Sequence, residues 1–188
     1  FTALAKSAQA ETIVKGTSAL ASEMGQSGPK ILKSIKEITQ GQLTLEEASN
    51  AANLALSSGF NTGQIEDLAK VALGASRALG RNLTDAMTRV VRGAAKMEPE
   101  LLDELGIFTR IEPAVNAYAA KMNIAASTMT DFERRQAFLN AVIEEGTRKF
   151  SNIDTTTQTT QMSLEQLSVQ ITELGTAFGQ LVNKFLLP

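Results

Sequence analysis

The 188-residue chain contains no cysteine and no histidine. The first absence excludes disulfides, thiolate metal sites and a cysteine nucleophile, and it leaves the redox compartment unread. The second removes the commonest general base and the commonest metal ligand. There is no tryptophan and a single tyrosine, and aromatics make up 5 % of the chain, so stacking platforms for bases or sugars are not expected. Charge of one sign is also missing: 18 Lys+Arg against 20 Asp+Glu leave −2, without the basic excess of a dedicated nucleic-acid binder. Nowhere do roughly 18 apolar residues run unbroken, the length a membrane-spanning helix needs. The opening stretch carries Lys6, Glu11 and Lys15 and does not suit a signal peptide. Phe1 in place of an initiator Met, and the ending Leu186-Leu187-Pro188, suggest a piece of a longer chain. Composition alone points to a soluble, helical, non-enzymatic segment.

What is present is helical punctuation. A first helical stretch over residues 2–24 should end at Gly25, Gly28 and Pro29. Ile31, Leu32, Ile35 and Ile38 restart a 3.6-residue pattern that runs to Gly41. Thr44 and Glu47 form a capping box for a helix closed by Gly59, with Leu45, Ala48, Ala52 and Ala55 on one face. Ile65, Leu68, Ala72, Ser76 and Leu79 mark the next helix, stopped by Gly80. Asn82 then caps a helix with Leu83, Met87, Val90, Ala94 and Met97 inward. Pro99 suits the first turn of a short helix ending at Gly106, and Ile107-Phe108 suggest a brief extended pairing. Pro113 opens a helix through Met122, with Val115, Tyr118, Ala119 and Met122 on its apolar side. Thr130 and Glu133 make a second capping box, starting a helix with Phe132, Leu139, Val142, Ile143 and Phe150 at helical spacing. Phe132, Phe138, Phe150, Met87, Met97 and Met122 read as core. Helices this short are not stable alone and must fold on one another or on a partner.

After residue 150 the composition shifts. SNIDTTTQTTQ, residues 151–161, is polar and without apolar periodicity, as a linker is. A 3-4 repeat follows: Leu164, Leu167, Ile171, Leu174, Phe178, Leu181 and Phe185, the seam of a coiled coil. Gly175 and Gly179 lie four apart, off that seam. The expected fold is all-α, a bundle of short capped helices followed by a coiled-coil-like helix. Its parts are residues 1–29 (N-terminal helical segment), 30–150 (bundle), 151–161 (linker) and 162–188 (C-terminal helix). The seam is the expected interface with other copies or partners; its competitor is packing back onto the chain's own bundle.

No catalytic, cofactor or metal residues are expected. The acid pairs Glu46-Glu47, Glu66-Asp67, Glu98/Glu100, Asp103-Glu104 and Glu144-Glu145 sit near helix starts or on polar faces, where they solvate the surface. Gly74 and Gly80 lack both phosphate-loop spacings. One charge pattern is more pointed: Arg77, Arg81, Arg89, Arg92 and Lys96, with Asp85 the only acid among them, precede an acidic stretch holding Glu98, Glu100, Asp103 and Glu104. It reads either as a basic ridge for DNA or an acidic partner, or as helix faces that neutralise each other inside the bundle; the second is favoured.

Several stretches together resemble bacteriophage tail tape measure proteins. They are EEASNAANLALSSGF (46–60), IEDLAKVALGASRALGRNLTDA (65–86), RVVRGAAKMEPELLDELGIFTRIEPAVNAYAAKMN (89–123) and TDFERRQAFLNAVIEEGTRKF (130–150). The polar gap and the ending LGTAFGQLVNKFLLP (174–188) continue the likeness, which covers the chain from about residue 30 onward. The resemblance implies a structural role in the tail lumen or tail tip of a virion assembled in the host cytoplasm. It implies a trimer, with a hexamer as alternative, inside tail-tube protein and against tip or baseplate hub proteins. Such proteins set tail length and leave at DNA ejection, with possible contact to DNA or host membrane. The breaks at Gly25, Gly28-Pro29, Gly41, Gly59, Gly80, Gly106 and Pro113 depart from a continuous ruler and suit a folded station that anchors the tape. The alternative is a membrane-active segment contributing to an ejection channel through helices 1–24 and 162–188.

Overall fold

The structure is a computed structural model describing residues 2–157 and 159–186, without the side chains of residues 2–4, 6, 183, 185 and 186. It is all-α. The described residues form α1 (Thr2–Glu23), α2 (Gly28–Ile38), α3 (Leu45–Ser57), α4 (Thr62–Leu79), α5 (Leu83–Lys96), α6 (Pro99–Asp103), α7 (Ile111–Met122), α8 (Asp131–Phe150) and α9 (Thr160–Leu186), with a 3-10 turn at Ala126–Thr128.

Local chemistry sets most boundaries. Thr44 Oγ1 accepts from the Glu47 amide at 3.1 Å while Glu47 Oε2 accepts from the Thr44 amide at 2.8 Å, so α3 begins on a reciprocal capping box. Thr130 and Glu133 repeat the device at α8, and Asn61 with Gln64 builds a third at α4. Gly80 ends α4 in the left-handed conformation at φ +61°, which a residue without a Cβ adopts at no steric cost.

The helices stack in layers around α4. Residues Val71–Ser76 are buried without interruption, so α4 has no solvent face at its middle. It packs against α2, α5 and α8, and its small residues let α8 come close. A Cβ on Gly74 would lie 2.6 Å from Phe150 Cβ, and one on Gly146 of α8 would lie 2.5 Å from Val71 Cγ1. α3 covers α5, α1 lies on α3 and α2, and α9 lies on α1. α7 contacts α8 and the 3-10 turn, around a small separate core of Val115, Ala119, Met129 and Ala137. Glu145 of α8 accepts from the Phe108 amide at 2.9 Å and from the Thr109 hydroxyl at 2.8 Å, and Lys149 Nζ donates to the Gly106 carbonyl and sits over the Phe108 ring.

Several sequence expectations are corrected. Gly28 and Pro29 open α2 rather than close α1: Pro in the first turn needs no N–H there. Pro113 lies two residues inside α7, still in the first turn. Ile107 and Phe108 form no strand; Ile107 is buried while Phe108 stays exposed under Lys149. Phe132 and Met122 are exposed rather than core. Phe132 sits in the first turn of α8 with its ring edge against Gly59, and Met122 ends the peripheral α7.

The α4–α8 contact generates a prediction. Gly146→Ala improves helix propensity by about 1 kcal/mol, yet it must displace the Val71 side chain. Overpacking of this kind costs about 1–3 kcal/mol, so urea unfolding should give a net loss of about 1 kcal/mol, and Gly74→Ala a similar one. A stabilised Gly146→Ala protein would mean that the two helices are not in contact there.

Candidate interface on helix α9

The Thr159 hydroxyl accepts from the Met162 amide at 3.2 Å and caps the start of α9, ending the polar segment that links it to α8. With Leu164 and Leu167 taken as the a and d positions of a heptad, Ile171, Leu174, Phe178 and Leu181 continue the seam. These six side chains are 52–70 % exposed. Phe185 belongs to the same repeat, but its side chain lies outside the described residues.

The opposite face meets the bundle. Met162 and Val169, seven apart, are buried, and Thr176 continues their line half-buried. In the heptad these are f positions, about half a turn from the a/d seam. Glu173 Oε1 accepts from Lys36 Nζ of α2 at 2.6 Å, and Gln166 Nε2 donates to the Gln40 carbonyl at 2.7 Å. Gly179 is buried, whereas Gly175, with no atom within 4 Å of an added Cβ, is exposed. The helix therefore docks by Met162, Val169 and a few small or polar residues, and leaves the six large apolar side chains of the seam in solvent. Positions flanking the seam from Leu164 to Leu181 are Ser163, Ser168, Gln170, Gly175, Ala177 and Val182, none of them charged; Lys184 follows beside Phe185. The repeat was legible in the sequence. The side that docks was not, because Met162, Glu173 and Thr176 form no apolar stripe of their own.

The basic residues between Arg77 and Lys96 are mostly paired. Arg81 reaches Asp85 at 2.9 Å and Glu104 at 3.7 Å; Arg89 reaches the same two acids at 2.9 Å and 2.7 Å. Arg92 pairs with Glu98 at 3.0 Å. Arg77 donates to the Gln42 side chain at 3.1 Å, and Lys96 is exposed at the end of α5. The acidic stretch after α5 thus folds back over the ridge. Burial by itself would raise the Asp85 pKa, but hydrogen bonds from Arg81 and Arg89 outweigh it and hold the carboxyl below its ordinary range.

One member of several acid pairs is engaged in the fold. Glu47 accepts from Thr84 at 3.0 Å besides its capping bonds, and Asp103 accepts from Arg110 at 2.7 Å. Among the described residues no group of three or more acids is placed to hold a metal ion, and no helix is long and apolar enough to cross a membrane.

The Asp85 cluster generates a prediction with a defined sign. A depressed carboxylate pKa contributes stability that is present above the unfolded value, about 3.9, and is lost as pH falls through the lower folded value. Asp85→Asn should therefore cost up to about 1 kcal/mol at pH 7, as expected of partly exposed pairs. In urea melts the difference from the parent should vanish in acid below that window. A difference that persists there would assign the loss to packing rather than charge.

No protein family model matches the chain, and neither does any solved structure.

Proposed function

We propose that this chain is a folded segment of a bacteriophage tail tape measure protein, acting by assembly rather than catalysis. Its place is the tail lumen or tail tip, where copies of the chain join through α9, in threes by analogy with the family, and the α2–α8 body faces tail-tube or tip proteins. The sequence resemblance over residues 46–150 supplies the family. The exposed seam of α9 supplies the mode of action, and it is the observation that carries the reading.

Magnitudes favour an interface. Complete burial of a Leu, Ile or Phe side chain is worth about 1.5–3 kcal/mol, so covering six that are already partly sheltered is worth on the order of 5–10 kcal/mol per chain. From Leu164 to Leu181 the stripe is about 26 Å long, at 1.5 Å per residue. Each association costs roughly 4–15 kcal/mol in lost freedom, against about 10–20 kcal/mol when two stripes cover each other, so the seam is sufficient to hold copies together. Seam and bundle lie on opposite sides of α9, which lets copies meet seam to seam with their bodies directed outward. The uncharged flanks place no like charges in the way of that approach.

An exposed apolar stripe also suits a bilayer surface. Interfacial helices, however, carry Lys and Arg along the polar face, and α9 carries Glu165, Glu173 and a single Lys184. Residues of that type do not draw a helix to anionic lipid.

Ile171→Gln with Leu174→Gln should convert an oligomer to monomer by light scattering, with unchanged helicity by circular dichroism. A parent chain that is monomeric at high micromolar concentration, or an oligomer indifferent to the double substitution, removes the assembly reading. Leakage from phosphatidylglycerol vesicles by the intact chain would favour the membrane reading instead.

A further inference from the structure

Six large apolar side chains of α9 face water, while its docked side buries only Met162 and Val169. Hydrophobic burial alone would favour the opposite orientation, so something else selects the docked side. The bundle surface under α9 supplies part of the answer. The cleft of about 480 Å³ there is lined by Ala10, Val14 and Leu45, but also by Glu11, Lys15, Lys36, Thr44 and Glu46. Leu, Ile and Phe side chains laid over those charges would strip their water and return no hydrogen bond.

Two polar contacts on one line of the helix supply the rest. Gln166 Nε2 donates to the Gln40 carbonyl at 2.7 Å, and Glu173 Oε1 accepts from Lys36 Nζ at 2.6 Å. Gln166 and Glu173 are seven residues apart, so the contacts lie on the same side of α9, about 10 Å from each other. One such contact leaves a helix free to pivot, whereas two define both its direction and its roll.

Both contacts come from one end of α2, and Gln40 carries a third. Its Nε2 donates at 2.6 Å to the carbonyl of Thr155, in the segment between α8 and α9. That segment is folded rather than slack: Ile153 packs on the main core, and Asp154 Oδ1 accepts from the amides of Thr156 and Thr157 at 2.8 Å and 3.2 Å. Gln40 makes these contacts at φ +54°, a left-handed conformation that glycine adopts freely and glutamine does not. The bond made by its side chain, not the turn itself, accounts for a residue larger than glycine there.

We propose that Gln40 is the positioning residue of the α9 interface. Its side-chain amide fixes the segment that leads into α9, its carbonyl receives the docked side of the helix, and the seam is thereby directed into solvent. The orientation stands by itself, while its consequence for assembly rests on the assembly reading. Only chains that hold the seam outward are competent to associate, so apparent affinity falls by the fraction they represent.

The full 188-residue chain has no cysteine, so K30C/Q170C takes a pair of spin labels at two exposed positions, one on α2 and one on α9. Mixed with excess unlabelled chain, the pair reports distances within one chain. Q40G keeps the turn and deletes the amide; Q40E keeps the size and replaces the donor by a carboxylate that repels the Thr155 carbonyl. Both should broaden the distance distribution about twofold, with the urea midpoint of the bundle unchanged. With about one variant chain in ten still holding the parent orientation, self-association by light scattering should weaken about tenfold. Distributions as narrow as the parent's, or broadening in Q40G alone, overturn the proposal, and so does a urea midpoint that falls in both variants. A broadened variant that associates as tightly as the parent overturns the role in assembly. A parent chain that never associates overturns the assembly reading alone, because the labels still report how α9 is held.

Discussion

The close approach of α4 and α8 is the constraint on which the rest of the structure depends. Val71–Ser76 are buried on every side, and Gly74 and Gly146 remove the atoms that would hold the two helices apart. With that axis fixed, α2 and α5 flank α4, and α6 seats Leu102 where a Cβ on Gly93 would be only 2.7 Å from Leu102 Cγ. The α1–α3 contact is made largely by small and polar residues, with Thr17, Ser49 and Ala52 buried and with Ser49 Oγ and Asn53 Oδ1 lacking hydrogen-bond partners. A layer joined by few large apolar contacts opens at lower free energy than a core helix does. α9, resting on α1, inherits that looseness.

Legibility of the fold followed the range of the interactions involved. The Thr44 and Thr130 capping boxes, the Asn82 cap and the Gly80 stop are set within four residues, and the sequence showed them directly. Gly28-Pro29 were misread because a Gly-Pro pair serves either side of a helix boundary, and only the layer that follows decides which. Phe132 and Met122 read as core from spacing alone. Spacing identifies a face, but not whether a neighbour covers that end of it, and these two lie in terminal turns. The seam of α9 was the reverse case: its periodicity was plain, but which face would meet the bundle depended on Lys36 and Gln40, more than a hundred residues away in sequence.

The charged residues show how local composition misleads when the partner lies just beyond it. Read alone, the span from Arg77 to Lys96 is a basic ridge. The turn at Met97 and Glu98 and the short α6 return Glu98 and Glu104 to the same surface, where Arg89 and Arg92 are matched. What remains is a nearly neutral flank whose shape, more than its field, is available to a neighbour.

The pairing of the first helix with the last has a mechanical consequence. α1 and α9 lie against each other at the outside of the stack, so a pull entering ahead of α1 and leaving beyond α9 reaches this seam before it reaches α4. The outer pair acts as a shear pin, yielding while the inner helices still carry no tension.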